Sequence, residues 1–333
     1  MSSGVIQCVV LGATGYAGSE LLALLHKNPH FSVVKAFGSA EREAIRWREL
    51  APQLAAHSSL MIEPWDMAQL DHVSVQAAFL ALPHAASADI APALLARGIQ
   101  VFDLSGAFRF HNACDFAQAY GFEHPAPTLL AQAQYMLMPW YSAQAEHSVY
   151  AIPGCYPTAS LLALKPLVDA GFIQGTPVIT AISGVSGAGR GANPATSFCE
   201  VSMKAYGVLQ HRHQPEISQQ LGCDVVFTPV LGPYARGILA VCTVTLTEQG
   251  AVTNLQAHFQ AQYAEHVLVQ VVPAPPAVNH VAHTPFAHLH VAQKESTAVI
   301  TVAIDNLVMG AAGQAMQAAN QVFGLNAYAG LLP

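Results

Sequence analysis

Charged residues are scarce in this chain: Asp, Glu, Lys and Arg make up 10% of 333 residues, against 53% hydrophobic. A chain so apolar does not stay disordered, and its length points to two domains. There are 13 Lys and Arg against 20 Asp and Glu, a formal net charge of −7. That balance offers no basic surface for a nucleic acid. It also makes each arginine informative, because few are left to decorate the solvent face.

Cysteine is sparse as well. The six (Cys8, Cys114, Cys155, Cys199, Cys223 and Cys242) are scattered without a CxxC pair, which excludes a disulfide scaffold and suits a reducing cytoplasm. No basic leader precedes the first apolar run, and no apolar stretch reaches membrane-spanning length without a charge, Pro or His. Neither a targeting segment nor a membrane partner is expected. The 16 histidines form no HExxH pattern, and His211-x-His213 and His288-x-His290 lack a Cys or carboxylate partner at ligand spacing. No metal is expected.

What is present centres on Cys155, within YAIPGCYPTASLLALKPLVDA (residues 150–170). Gly154 frees the backbone before it, Pro157 marks a first helical position, and Leu161, Leu162, Leu164, Leu167 and Val168 form an apolar helical stripe. A thiol at a helix N-terminus is biased toward the thiolate by the unpaired N–H groups and the helix dipole. Cys155 is therefore the candidate nucleophile and acyl acceptor. The plainer alternative is a buried cysteine in a tight turn.

The N-terminal run ends in GATGYAGSELLALL (residues 12–25). Gly12, Gly15 and Gly18, with Thr14 and Tyr16 between them, make a glycine turn from a strand into an amphipathic helix, where backbone N–H groups can approach a pyrophosphate. The second strand, expected over 32–37, ends in Gly38-Ser39-Ala40-Glu41-Arg42. An acid that would hold the ribose 2′-hydroxyl of NAD is missing from that strand end, so Ser39 and Arg42 are candidate 2′-phosphate contacts and NADP(H) the expected cofactor, with Glu41 arguing against. Further strands are expected over 75–82, before Pro83 and His84, and over 100–102, before DLSGAFR (103–109). Both strand ends lie at the sheet edge where ligands bind. Arg109, between Phe108 and Phe110, is costly to place unless it meets an anion.

After the Cys155 helix, a strand over 176–182 feeds SGVSGAGRGAN (183–193), a glycine-rich loop closed by Arg190. Apolar strand-like runs at 225–230, 238–247, 267–272 and 298–304 suit a mostly antiparallel sheet with helices on one face. Residues 305–324, DNLVMGAAGQAMQAANQVFG, predict a helix with a small-residue face. The fold class is thus α/β: a Rossmann-type dinucleotide-binding domain over 1–150 and an α+β catalytic domain over 151–305.

Taken together, GATGYAGSEL, ALPH, DLSGAFR, PGCYPT, SGVSGAGR, HRHQPEI (211–217), RGIL (236–239) and DNLVMGAAGQA resemble, in order and across nearly the whole chain, the N-acetyl-γ-glutamyl-phosphate reductases of arginine biosynthesis. These are relatives of the aspartate-semialdehyde dehydrogenases. The chain departs from the family pattern at Ile152, at Gly106-Ala107 and in the His-rich segment 273–292.

The resemblance implies a thioester mechanism: Cys155 attacks an acyl phosphate, phosphate leaves, and a hydride from NADPH takes the thioester to the semialdehyde. It implies a His of HRHQPEI as acid/base, and Arg109, Arg190 or Arg236 as holders of phosphate or carboxylate; because Pro215 and Glu216 place His213 at a helix entry, His213 is taken as the acid/base with His211 in support, although the two roles can exchange. Arg212 is expected to point away between the two histidines. Ser183, Gly184, Gly187 and Ala188 would line the nicotinamide side, Asn306 would reach the cofactor, and the C-terminal segment 306–333 would return to complete the first domain. A homo-oligomer, dimer or tetramer, is expected from the family. Two other readings remain: an aspartate-semialdehyde dehydrogenase-like reductase, and a dinucleotide-binding sensor without catalysis.

Overall fold

Two compact units make up the chain in a computed structural model that describes residues 4–142 and 148–332. The first runs to Pro153 and resumes at Ala311; the second spans Gly154–Gly310.

In the first unit, Ile6–Leu11 is buried on both sides and pairs in parallel with Phe31–Phe37 and with Ala77–Leu80. The sheet continues in parallel through Gln100–Asp103, Val149–Ala151 and Gln134–Tyr135, and on the other side through Met61–Glu63, with the edge strand Ile45–Arg46 antiparallel. Near-continuous apolar runs such as AAFL (residues 77–80), every residue buried, are what a sheet covered on both faces requires. The helices Tyr16–Lys27 and His84–Leu95 follow the first and third of these parallel strands, so the strand ends at Leu11 and Leu80 lead directly into helix N-termini. The helix Gly313–Val322 belongs to this unit. It is locked there by Asn28, whose Nδ2 donates to Asn320 Oδ1 at 2.9 Å and to the Ala329 carbonyl at 3.0 Å.

The second unit holds a mixed seven-stranded sheet. Ile173–Ser183, Ile238–Leu246, Thr297–Ile304 and Ala287–Lys294 pair antiparallel in that order, while Val226–Leu231 and Val269–Val271 add in parallel and Lys204–Ala205 closes one edge. Along Ile238–Leu246 buried and less buried residues alternate, the signature of a sheet with one face on a core. The helices Cys155–Asp169 and Leu255–Gln262 pack on the sheet.

One strand was not foreseen, and one expectation needs correction. The His-rich segment contains a full strand, Ala287–Lys294, in which Ala287, Leu289 and Val291 are buried and His288 and His290 face the other way; the histidines mask a period-two pattern. The helix expected over 305–324 begins only at Gly313, after a wider π-type turn over Val308–Ala312.

Candidate active site

The glycine turn of the first unit is built too tightly for side chains. Gly12 has φ +82°, and a Cβ there would fall 2.1 Å from the Ala81 carbonyl oxygen; one on Gly18 would fall 2.3 Å from the Gly12 oxygen. The turn after the first strand therefore touches Ala81 and Leu82, the residues that lead into Pro83, the N-cap of the His84 helix. Gly15 is the N-cap of the helix Tyr16–Lys27, and no side chain caps it. The first-turn N–H groups are thus left for an anion, which fits a pyrophosphate. Thr14 packs against Gly38, where a Cβ would lie 3.1 Å from the Thr14 methyl. Ser39, Glu41 and Arg42 are exposed beyond it, and among the described residues Arg42 pairs with no carboxylate.

Arg109 lies in the same unit and is 5% exposed. Its Nε donates to the Ile152 carbonyl and one Nη to the Leu104 carbonyl, both at 2.8 Å. The guanidinium holds two loop segments together, with Asp103 nearby.

In the second unit a cavity of about 450 Å³ is lined by Cys155, Tyr156, His211 and His213, together with Ser183, Gly184, Gly187 and Ala188. Cys155 is the first residue of its helix, Gly154 the uncapped N-cap, and Pro157 the third helical residue. The helix thus starts two residues before the position that Pro157 marks in the sequence, which puts the thiol itself in the first turn. A Cβ on Gly310 would come within 2.8 Å of Cys155 Cβ, so the DNLVMG turn can press against the nucleophile only because it ends in glycine.

His213 opens the helix His213–Leu221 and is 6% exposed. Its backbone N–H donates to His211 Nδ1 at 3.2 Å, which makes Nδ1 an acceptor and leaves the proton of neutral His211 on Nε2. Burial, and secondarily the Arg212 charge, pull the His211 pKa down to about 4. His211 is neutral in the working range, a hydrogen-bond donor and not a proton acceptor. The two imidazoles stack edge-on at 4.8 Å and both meet the Tyr156 ring at 5.8 Å.

Asn306 does not line this cavity. Its Nδ2 donates to Ser186 Oγ at 3.0 Å and its Oδ1 accepts the Gly237 N–H at 2.6 Å, so it braces the loop Val185–Ala188 that does. Arg190 also lies off the lining. Arg236, partly buried, forms an ion pair with the buried Asp305, the carboxylate that also accepts the His283, Leu307 and Val308 N–H groups. Arg212, expected to point away, is exposed yet counts among the lining residues of the cavity, as does Lys204. The residues missed in the sequence are Lys204, Arg212, Tyr206, Glu216 and Gly310. Only Arg212 and Glu216, inside HRHQPEI, and Gly310, inside DNLVMG, lay in motifs that signalled them.

Residues 7–152 match the family described as semialdehyde dehydrogenase, NAD binding domain, and residues 155–306 match the semialdehyde dehydrogenase dimerisation domain. Over 335 aligned residues, 98% of this chain and 100% of the relative, the sequence is 43% identical to the N-acetyl-γ-glutamyl-phosphate reductase of Tolumonas auensis. The chain belongs to the N-acetyl-γ-glutamyl-phosphate reductase family. A second member, from Aeromonas salmonicida, is 44% identical over the same share of both chains. Among solved structures, aspartate semialdehyde dehydrogenase II from Vibrio cholerae shares the fold with TM-score 0.70 at 17% identity, over 97% of this chain and 99% of that one. The Candida albicans aspartate semialdehyde dehydrogenase, solved with NADP, has TM-score 0.70 at 14% identity, over 96% and 99%. The two-unit α/β architecture is that of the semialdehyde dehydrogenases.

Among the described residues no group of three or more His, Cys, Asp or Glu is placed to hold a metal ion. No helix among them is long and apolar enough to cross a membrane.

Proposed function

We propose that this chain reduces N-acetyl-γ-glutamyl phosphate to N-acetylglutamate 5-semialdehyde and phosphate, with NADPH, through a thioester on Cys155. The observation that carries this reading is the cavity in which the first residue of an uncapped helix, Cys155, shares the lining with His211 and His213, in a chain matched end to end by reductases of that name.

Cys155, as thiolate, attacks the acyl carbon; the C–O bond to the phosphoryl group breaks and phosphate departs with the electron pair. The helix N-terminus stabilises the thiolate before attack and again when the C–S bond breaks. His213 takes the thiol proton and delivers it to the oxygen that becomes anionic as the thioester is reduced, and the neutral His211 donates through Nε2 to hold the substrate. NADPH, when bound, supplies the hydride. Gly12, Gly15 and Gly18 would hold its pyrophosphate, Thr14, Tyr16 and Pro83 would flank it, and Ser39 and Arg42 would take the 2′-phosphate. Ser183, Gly184, Gly187 and Ala188 would shape the nicotinamide side, with Asn306 keeping their loop in place.

We further infer a homo-oligomer formed through the open face of the second sheet, where Val178 is 45% exposed and Ile182, Leu239, Val241 and Val299 are half-buried. The match to a dimerisation domain supports it, and sedimentation of the protein at micromolar concentration tests dimer against tetramer. A thiolate nucleophile calls for a reducing compartment, hence the cytoplasm.

The experiment for the reaction runs it in reverse: phosphate-dependent reduction of NADP with N-acetylglutamate semialdehyde, with aspartate semialdehyde, and with neither. Turnover with the first is expected. A preference for the second would make this an aspartate-type enzyme, and turnover with neither would leave a dinucleotide-binding protein.

A further inference from the structure

Three arginines singled out as anion holders in the sequence do not line the Cys155 cavity. Arg236 is paired with Asp305, and Arg109 donates to two backbone carbonyls. Yet the acyl phosphate of the proposed reaction carries a phosphoryl group and an α-carboxylate, and both must be held. The cavity lining contains no Asp or Glu and two cations, Lys204 and Arg212. Among the described residues neither forms an ion pair, whereas Lys35, Arg46, Arg97, Lys165 and Arg236 do. Both cations are exposed and need no partner on grounds of burial, but on one acid-free lining they give the cavity a positive rim that draws in an anion from outside.

We infer that Arg212 holds the phosphoryl group and Lys204 the α-carboxylate of the substrate. This rests on the reaction proposed above. The placement follows from the neighbours of each residue. Arg212 stands between His211 and His213, whose rings meet Tyr156, the residue after the nucleophile, so its guanidinium belongs to the reacting end. Its planar fork suits three equivalent phosphoryl oxygens. Lys204 opens the edge strand Lys204–Ala205, and Tyr206, two residues on, lies with its hydroxyl 3.1 Å from that of Tyr156. Residues two apart in an extended segment share a face, separated by roughly 7 Å. That is about the span from the acyl carbon to the α-carboxylate oxygens, three carbons lying between the acyl carbon and the carboxylate carbon. The flexible four-carbon stem of Lys204 accommodates the remainder.

The reverse reaction separates the two anions, since phosphate and the semialdehyde carboxylate then arrive on different molecules. Arg212→Gln is expected to raise the phosphate KM about tenfold or more and the semialdehyde KM by less than about twofold, and Lys204→Gln to do the opposite. Arg212→Lys and Lys204→Arg should each recover part of the loss. A parallel readout needs no turnover: the ratio of Cys155 alkylation rates by anionic iodoacetate and neutral iodoacetamide should fall in both Gln variants. If the ratio falls but the wild-type protein turns over no N-acetylglutamate semialdehyde, the anion pair stands and the substrate reading fails. Unchanged KM values and an unchanged alkylation ratio overturn the inference, and exchanged KM effects overturn the assignment of the two anions.

Discussion

Glu216 Oε1 accepts the backbone N–H of Gly154 at 3.0 Å, with the Glu216 side chain fully buried. One carboxylate thus ties the helix that begins at His213 to the residue that caps the Cys155 helix, and the spacing of His213 and Cys155 depends on it. Glu216→Ala leaves that N–H without its acceptor, at a cost of about 1–3 kcal/mol. We expect a lower Tm in thermal denaturation and a lower kcat, with Glu216→Gln, which keeps an acceptor oxygen, recovering most of both. An Ala variant with wild-type kcat and Tm would show that packing alone sets the spacing.

Replacement of the nucleophile should separate binding from chemistry. Cys155→Ala is expected to abolish turnover and leave NADPH affinity within about twofold, because covalent catalysis is lost while the helix persists. Cys155→Ser should be nearly as inactive. Iodoacetamide should modify Cys155 well before Cys8 and Cys242, whose thiols burial pushes up to about 12; peptide mapping by mass spectrometry reads the order. Retained turnover in the Ala variant would end the thioester mechanism.

The two histidines should part in kinetics. His213→Asn is expected to lower kcat by about 10²-fold or more and to remove the pH–rate limb near neutrality, whereas His211→Asn should act mainly on KM. Steady-state rates from pH 5 to 9 decide this. A lost limb in the His211 variant would exchange the roles.

His211 also makes a prediction about stability. Its pKa falls from an ordinary 6.5 to about 4 in the folded chain, chiefly through burial and then through Arg212. Between these values the unfolded chain binds the extra proton, so acidification favours unfolding and this part of the stability is lost as pH falls from 6.5 toward 4. Urea titrations at several pH values should show a shallower decline for His211→Asn than for the wild-type chain over that window. Parallel declines would mean that His211 does not contribute.

Cofactor choice rests on Arg42, exposed and without a carboxylate partner among the described residues. A charge-assisted contact with a 2′-phosphate contributes about 1.5–3 kcal/mol, so Arg42→Ala should raise the NADPH Kd about tenfold or more and hardly change that for NADH. Equal losses in a fluorescence titration would make Arg42 a surface charge only.

The residues alone determined what depends on short stretches of backbone. A glycine turn that admits no Cβ at Gly12 and Gly18, a thiol placed at a helix start by Gly154, and paired histidines at the entry of a second helix are local conformational facts, and each was legible within a few residues. The parallel sheet of the first unit was legible too, because strands buried on both faces read as continuous apolar runs. Partnerships across the chain were not. Arg236 meets Asp305 from 69 residues away, which no pattern around RGIL reveals, and Lys204 faces the thiol cavity only because its short strand pairs with Val230 and Leu231. The strand Ala287–Lys294 was hidden by His288 and His290, whose half-exposed positions make sense only beside Thr297–Ile304. Local propensity follows from a residue and its immediate neighbours, whereas the partner of a charge is chosen by packing, which joins segments distant in the chain.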